Sequence, residues 1–352
     1  MIKISRCMYN SNESVRIGYI DAMRGLAIIL VLQSHVANRC FNINYDTPSL
    51  HFLPWIQLPL FFFISGFLSK KIVSFKKLIF FLYEKASTYL FSAIVFMICY
   101  AYISHQDVID GFYNDAKYGY WFTFSLFQFL LIYSVFSYMF ASLEIKSWKQ
   151  DLVFFVLSVL MYLMSIPTIQ GYTKLYNDSF YNLVGMGYWK YFLYYSIGVI
   201  IHKYYGKVVI LLKSTYFLLA LVTSFFILII FESFFRTNCW TLYCLVLPVT
   251  GLFLCFSFFY RYEVLFSEST YVGRLFCVIG KRTLDIYYIH YFLIPSNVSI
   301  MTTVFHDYPM PIVEYFITSI CVALIIGICM LVGCIIRLSP HLAYYLLGAK
   351  MR

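Results

Sequence analysis

The stretch Arg16-Ile-Gly-Tyr-Ile-Asp21-Ala-Met-Arg24-Gly25-Leu-Ala-Ile-Ile-Leu-Val-Leu-Gln33-Ser34-His35 decides the fold. A polar, basic lead runs into an apolar segment, which predicts a membrane helix over 22–38. Three titratable groups mark its start and its far end: Asp21, Arg24 and His35. Arg24 and His35 are eleven positions apart, about three turns of 3.6 residues, so they face one side and lie roughly 16 Å apart along the axis. Asp21 precedes Arg24 by one turn on nearly that face. The structural alternative is an interfacial i,i+3 ion pair of Asp21 with Arg24 and a hydrogen-bonded interior histidine. Gln33 beside His35 weighs toward function, because several polar groups in one short span are costly to bury.

Composition carries this reading to the whole chain. Of 352 residues, 62% are hydrophobic and 12% charged, about half the charged share of a soluble globular domain. The chain is therefore expected to be an all-α, polytopic integral membrane protein. Aromatics make up 22%, suited to headgroup belts and cavity walls. With about 20 apolar residues needed per span, ten spans are expected: 22–38, 53–69, 87–104, 120–141, 151–167, 188–202, 214–231, 239–260, 282–304 and 312–337. A short tail, 1–20, precedes them. It shows no cleavable signal peptide, so the first span is expected to serve as an uncleaved anchor. One domain over 1–352 is expected, without repeats or linkers.

The formal net charge of +10 would fit a nucleic-acid partner if the cations shared one face. They do not. With the N-terminus inside, only Arg39, Lys117, Lys174, Lys190 and Arg236 of the 26 Lys and Arg fall in outside loops. That asymmetry predicts both termini cytoplasmic and an even number of spans. The ten cysteines form no CxxC pair. Five lie in apolar runs as small hydrophobes. Cys40 and Cys239 fall near the outer edge, where a disulfide between them stays open. The seven histidines lack ligand spacing, so no metal site is expected.

The first helix also carries a resemblance. Ile-Asp21-x-x-Arg24-Gly25 with His35 eleven residues after Arg24 resembles the first-helix signature of the acyltransferase 3 family of membrane-bound acyltransferases. Three further segments are similar to that family. Phe61-Phe62-Phe63-Ile-Ser65-Gly66 resembles its second-helix phrase, although Ser-Gly alone marks close helix packing. Tyr120-Trp121-Phe122 resembles its aromatic fourth helix, although alone it is an interfacial belt. Thr283-Leu-Asp285-Ile-Tyr287-Tyr288-Ile-His290 resembles its late Thr/Ser-x-x-Ile-Tyr-x-x-His phrase. Read from spacing, His290 lies about 12 Å into its span. Thr283 shares its face and Asp285 does not. Alone, His290 is a structural histidine bridging helices.

The resemblance implies transfer of an acyl group, most often acetyl, from acyl-CoA to a hydroxyl of a sugar in a surface polysaccharide or glycolipid. A hydroxyl needs a base to attack near neutral pH, and imidazole suits that role. His35 is the candidate base. Arg24 would orient the donor or stabilise developing negative charge, and Asp21 would hold Arg24. His290, Ser65, Thr283 and Trp121 are candidates for supporting the base or binding the acceptor. The cytoplasmic lysines Lys76, Lys77 and Lys85 are candidates for the donor's phosphates, although the family's arginines and proline are missing there. Acetyl-CoA is expected as a donor substrate, with no permanently bound cofactor. The partners are then acyl-CoA, a sugar acceptor that is lipid-linked or free, and the bilayer. A bacterial cytoplasmic membrane is the expected location.

Two other functions compete. A transporter or flippase of a lipid-linked saccharide would suit ten spans with titratable groups at depth, but predicts related halves or matching broken helices, which the sequence lacks. A polysaccharide polymerase or ligase would be expected to carry a larger external loop.

Overall fold

The computed structural model describes residues 17–43, 52–141, 143, 145–165, 179–295, 298, 302–305 and 310–349. Most of the tail 1–20, the first part of the outside loop 168–187 up to 178 with Lys174, and parts of the expected span 282–304 lie outside the described residues. Within them the chain is helical and has no strand.

In chain order the helices are α1 (Gly18–Phe41), α2 (Leu53–Phe67), α3 (Phe75–Ile103), the short α4 (Val108–Tyr113), α5 (Trp121–Ala141), α6 (Ser147–Met164), α7 (Phe192–Lys203), α8 (Tyr205–Lys213), α9 (Thr215–Ile230), α10 (Glu232–Asn238), α11 (Trp240–Arg261), α12 (Tyr271–Lys281), α13 (Thr283–Leu293), α14 (Pro311–Ile336) and α15 (Pro340–Leu347). Each expected span holds a helix, but the count of ten is not confirmed. By length and composition, six among the described residues are long and apolar enough to cross a membrane: α1, α3, α5, α6, α11 and α14. A seventh joins them if the pair Met186–Lys203 and Tyr205–Lys213, bent by 97°, is one span. The apolar helices α2 and α9 have 15 and 16 residues, about 23 Å at helical rise against a core of about 30 Å.

The physical reasons for the departures are local. The ninth expected span ends as a helix at Leu293, because Ile294 turns extended (φ −81°, ψ 110°) ahead of Pro295. The residue before a proline is driven out of helical conformation. The third begins at Phe75 and passes through a π turn over Ala86–Phe91. The inside segment after α11 folds as α12, a helix the apolar-run reading left in a loop. Cys40 and Cys239 are both free thiols, which removes the disulfide.

α1 is the centre of the packing. In its apolar window 78% of residues are buried inside the protein, against 28% for α14 and 22% for α6. A helix wrapped by other helices can carry polar groups that lipid would not tolerate. α2, α12, α13 and α14 pack directly on it. The approach of α12 is a backbone contact: a Cβ on Gly280 would stand 1.8 Å from the carbonyl oxygen of Asp21. α2 meets α7 in the same way, since a Cβ on Gly66 would stand 1.9 Å from the carbonyl oxygen of Tyr195. The Ser65-Gly66 pair therefore serves close helix packing, whatever else Ser65 does. Gln33 turns to α14, where Nε2 donates to the carbonyl of Tyr315 at 3.1 Å and to Oγ1 of Thr318. That contact satisfies the buried amide and fixes α1 against α14.

Candidate active site

Between α1, α2, α5, α13 and the end of α14 lies a cavity of about 770 Å3. Arg24 and His35 both line it, so the eleven-residue spacing on α1 does place them on one wall. The cavity runs along that wall by three turns, roughly 16 Å. Its two ends differ in chemistry.

The end at Arg24 is charged. Arg24 Nη1 lies 3.6 Å from Oδ1 of Asp21, as the i,i+3 spacing predicts. Thr283, Lys281, Asp285 and Arg337 line the same end. Asp285 is fully buried and is held by two arginines. Arg337 binds it bidentately, Nε to Oδ2 at 2.9 Å and Nη2 to Oδ1 at 2.6 Å. Arg282 adds Nη1 to Oδ2 at 3.0 Å. Gly333 makes room for this carboxylate, since a Cβ there would stand 2.8 Å from Oδ2. One carboxylate shared by two guanidiniums leaves positive charge at the cavity wall. Lys281 pairs outward with Glu268.

The end at His35 is aromatic. His35 Nε2 lies 3.2 Å from the hydroxyl of Tyr291. The His290 ring stacks on the His35 ring with centroids 5.6 Å apart and planes at 27°. Arg39 lies over the Tyr291 ring, 4.6 Å from its centroid, and donates from Nη1 to the hydroxyl of Tyr100 at 3.1 Å. His290 has a defined tautomer: Nδ1 faces the carbonyls of Ile286 and Tyr287 at 3.0 and 2.7 Å. Carbonyls only accept, so Nδ1 carries the proton. The lone pair is left on Nε2, buried and without a hydrogen-bond partner among the described residues. Asp285 and His290 thus point to different ends of the site, as their spacing on α13 requires.

The other expected site residues divide. Ser65 and Trp121 line the cavity. The Ser65 hydroxyl donates to the carbonyl of Phe61 at 2.9 Å, and the Trp121 ring stacks on Tyr188 at 3.7 Å. His290 reaches the cavity only through His35. Lys76 and Lys77 are exposed on α3, and Lys85 pairs with Glu84 at 3.2 Å; none of the three lines the cavity. Its basic wall is Arg24, Lys281 and Arg337 instead. Sequence reasoning passed over Arg337, Tyr291, Arg39 and Gln57. Tyr291 had a signal, because it follows His290 and lies one turn beyond Tyr287. Arg337 was read as a topology charge after the last apolar run.

A family model described as an acyltransferase domain, acyltransferase 3, matches residues 17–337. The chain belongs to the acyltransferase 3 family. No curated protein and no solved structure matched in the comparisons made. An acyltransferase 3 domain needs an acyl donor and an acceptor to meet at one site. The match runs from the start of α1 to Arg337, and so contains both ends of the cavity.

Proposed function

We propose that this acyltransferase moves a short acyl group, acetyl in the first instance, from acyl-CoA to a hydroxyl of a sugar in a surface polysaccharide or glycolipid. The observation that carries the proposal is the single cavity joining the cations at Arg24, Lys281 and Arg337 to the imidazole of His35. Acyl-CoA is an anion with a long, thin, uncharged arm ending in a thioester. Its phosphates suit the cationic end, and its arm suits a passage of about three helical turns. The acceptor then meets the thioester beside His35.

In this reading His35 is the general base. The acceptor O–H gives its proton to the imidazole as its oxygen attacks the thioester carbonyl. The C–S bond breaks on collapse, and the imidazolium returns the proton to the CoA thiolate. With Nε2–H donating to the Tyr291 hydroxyl, the lone pair of Nδ1 of His35 is left for this exchange. Arg24 belongs with the donor's phosphates, with Asp21 holding its guanidinium. Trp121, stacked on Tyr188, offers the aromatic wall against which a sugar ring packs. The test is mass analysis of surface glycans from cells lacking the protein, complemented by wild type or His35→Ala. Wild type should restore an acyl mass that His35→Ala does not. Restoration by both sinks the role of His35, and an unchanged glycan in the deletion sinks the acceptor class.

A further inference from the structure

Acyl transfer to an oxygen passes through a tetrahedral intermediate whose oxyanion needs a donor in place. The cations that line the cavity cannot supply it at His35, because Arg24 stands about three turns away along α1 and Lys281 and Arg337 share its end; Arg39, nearer His35, donates to the hydroxyl of Tyr100 and does not line the cavity. The donor must come from the side chains that line the cavity beside His35. The Tyr287 hydroxyl has already committed its proton, to the carbonyl of Gly119 at 3.1 Å, and Ser65, about two turns along α2 from Gln57, donates to Phe61.

Gln57 has not. It lines the same cavity and is 5% exposed. The hydroxyl of Ser34, the residue before His35, lies 3.2 Å from Gln57 Oε1 and 2.9 Å from the carbonyl of Val31. The Ser34 hydroxyl shares its one hydrogen between these two acceptors, and the contact on Oε1 sets the amide with Nε2 facing the other way. Neither N–H bond has a partner among the described residues. The amide is thereby fixed to the residue next to the base, on a helix that Gly66 holds against α7.

We propose that the Gln57 amide is the donor that meets the developing oxyanion on the thioester carbonyl. This rests on the acyl-transfer reading of His35. As the acceptor oxygen bonds to the carbonyl carbon and its proton passes to His35, the carbonyl π pair moves onto oxygen, where a Gln57 N–H receives it. When the C–S bond breaks, that pair re-forms the carbonyl of the ester, and the thiolate takes the proton from His35. The geometry asks for a base within about 2.6–3.2 Å of the attacking oxygen and a donor within about 2.7–3.1 Å of the oxyanion. His35 is offered for the first demand, and Gln57, held through the neighbouring Ser34 on the wall of the same cavity, for the second.

The test uses membrane vesicles holding the full chain and their native glycan, with radiolabelled acetyl-CoA, and wild type and His35→Ala as references. Gln57→Leu keeps the volume and removes both N–H donors. Its kcat for label transfer should fall by about 10²–10³, with KM for acetyl-CoA within about twofold, the signature of an interaction made only in the transition state. Ser34→Ala, which unlocks the amide but leaves it in place, should fall less. Gln57→Glu, near-isosteric and without N–H, carries the test if Gln57→Leu fails to accumulate. Turnover of Gln57→Leu near wild type, or a raised KM with unchanged kcat, overturns the proposal. So does a kcat loss of that size in Trp121→Phe with Gln57→Leu unaffected, since the indole N–H would then be the donor. Wild-type vesicles that transfer no label overturn the acyl-transfer reading itself.

Discussion

His35 is surrounded by groups drawn from different distances in the chain: Arg39 one turn on, Gln57 on the next helix, and His290 with Tyr291 about 255 positions away. The first helix pointed to His35 as the candidate base because charged and titratable groups are rare in an apolar run. The neighbours were harder to read. Tyr291 is one of 34 tyrosines, and only the fold shows that its hydroxyl meets Nε2 of His35. Gln57 is a lone polar residue in an apolar stretch and carries no motif. Its significance depends on the partner of its carbonyl, which no spacing rule gives. Tyr291→Phe removes one hydrogen bond to the base while keeping the ring beneath Arg39. A net hydrogen bond of about 1–1.5 kcal/mol corresponds to roughly a five- to tenfold drop in kcat. Steady-state kinetics should show that drop with KM for acetyl-CoA unchanged, and equal turnover in the two proteins would detach Tyr291 from the base.

The elements were legible where apolar length was the signal and obscure where packing was. The runs over 120–141 and 312–337 became α5 and α14 with their ends nearly unmoved, because a lipid-facing helix must be apolar throughout. α12 was hidden because it is short and amphipathic, and it earns its place by backbone contact with α1. Gly280 is the point of that contact, and adding one methyl there forces α12 away from Asp21 and Arg24. Gly280→Ala should destabilise the protein by about 1–3 kcal/mol, the usual cost of overpacking. Gly327→Ala on α14, where a Cβ meets nothing within 4 Å, should be neutral or gain up to about 1 kcal/mol from helix propensity. Thermal unfolding in detergent should lower the midpoint for the first variant only. Equal midpoints would mean that α12 does not depend on close approach.

At the scale of the molecule, loop charge and the cavity describe one polarity. The excess of basic residues inside predicted which end of each helix faces the cytoplasm. The cavity places Arg24, Lys281 and Arg337 at that end and His35 toward the other. The expected lysines Lys76, Lys77 and Lys85 do not line the cavity, and position in the sequence cannot tell a cation on a cavity wall from one on an outer surface. Arg24→Gln should therefore raise KM for acetyl-CoA by about 10-fold or more, since a charge-assisted hydrogen bond contributes about 1.5–3 kcal/mol. Lys76→Gln should leave it within twofold, and the reverse order in kinetic assays would relocate the donor. The most direct measurement compares inverted with right-side-out membrane vesicles, each given radiolabelled acetyl-CoA in the external medium, with His35→Ala as the blank. Label should enter the glycan when acetyl-CoA reaches the face bearing Arg24, Lys281 and Arg337. Equal transfer from both faces, or transfer only from the face bearing Arg39, would contradict a donor path running from Arg24 to His35.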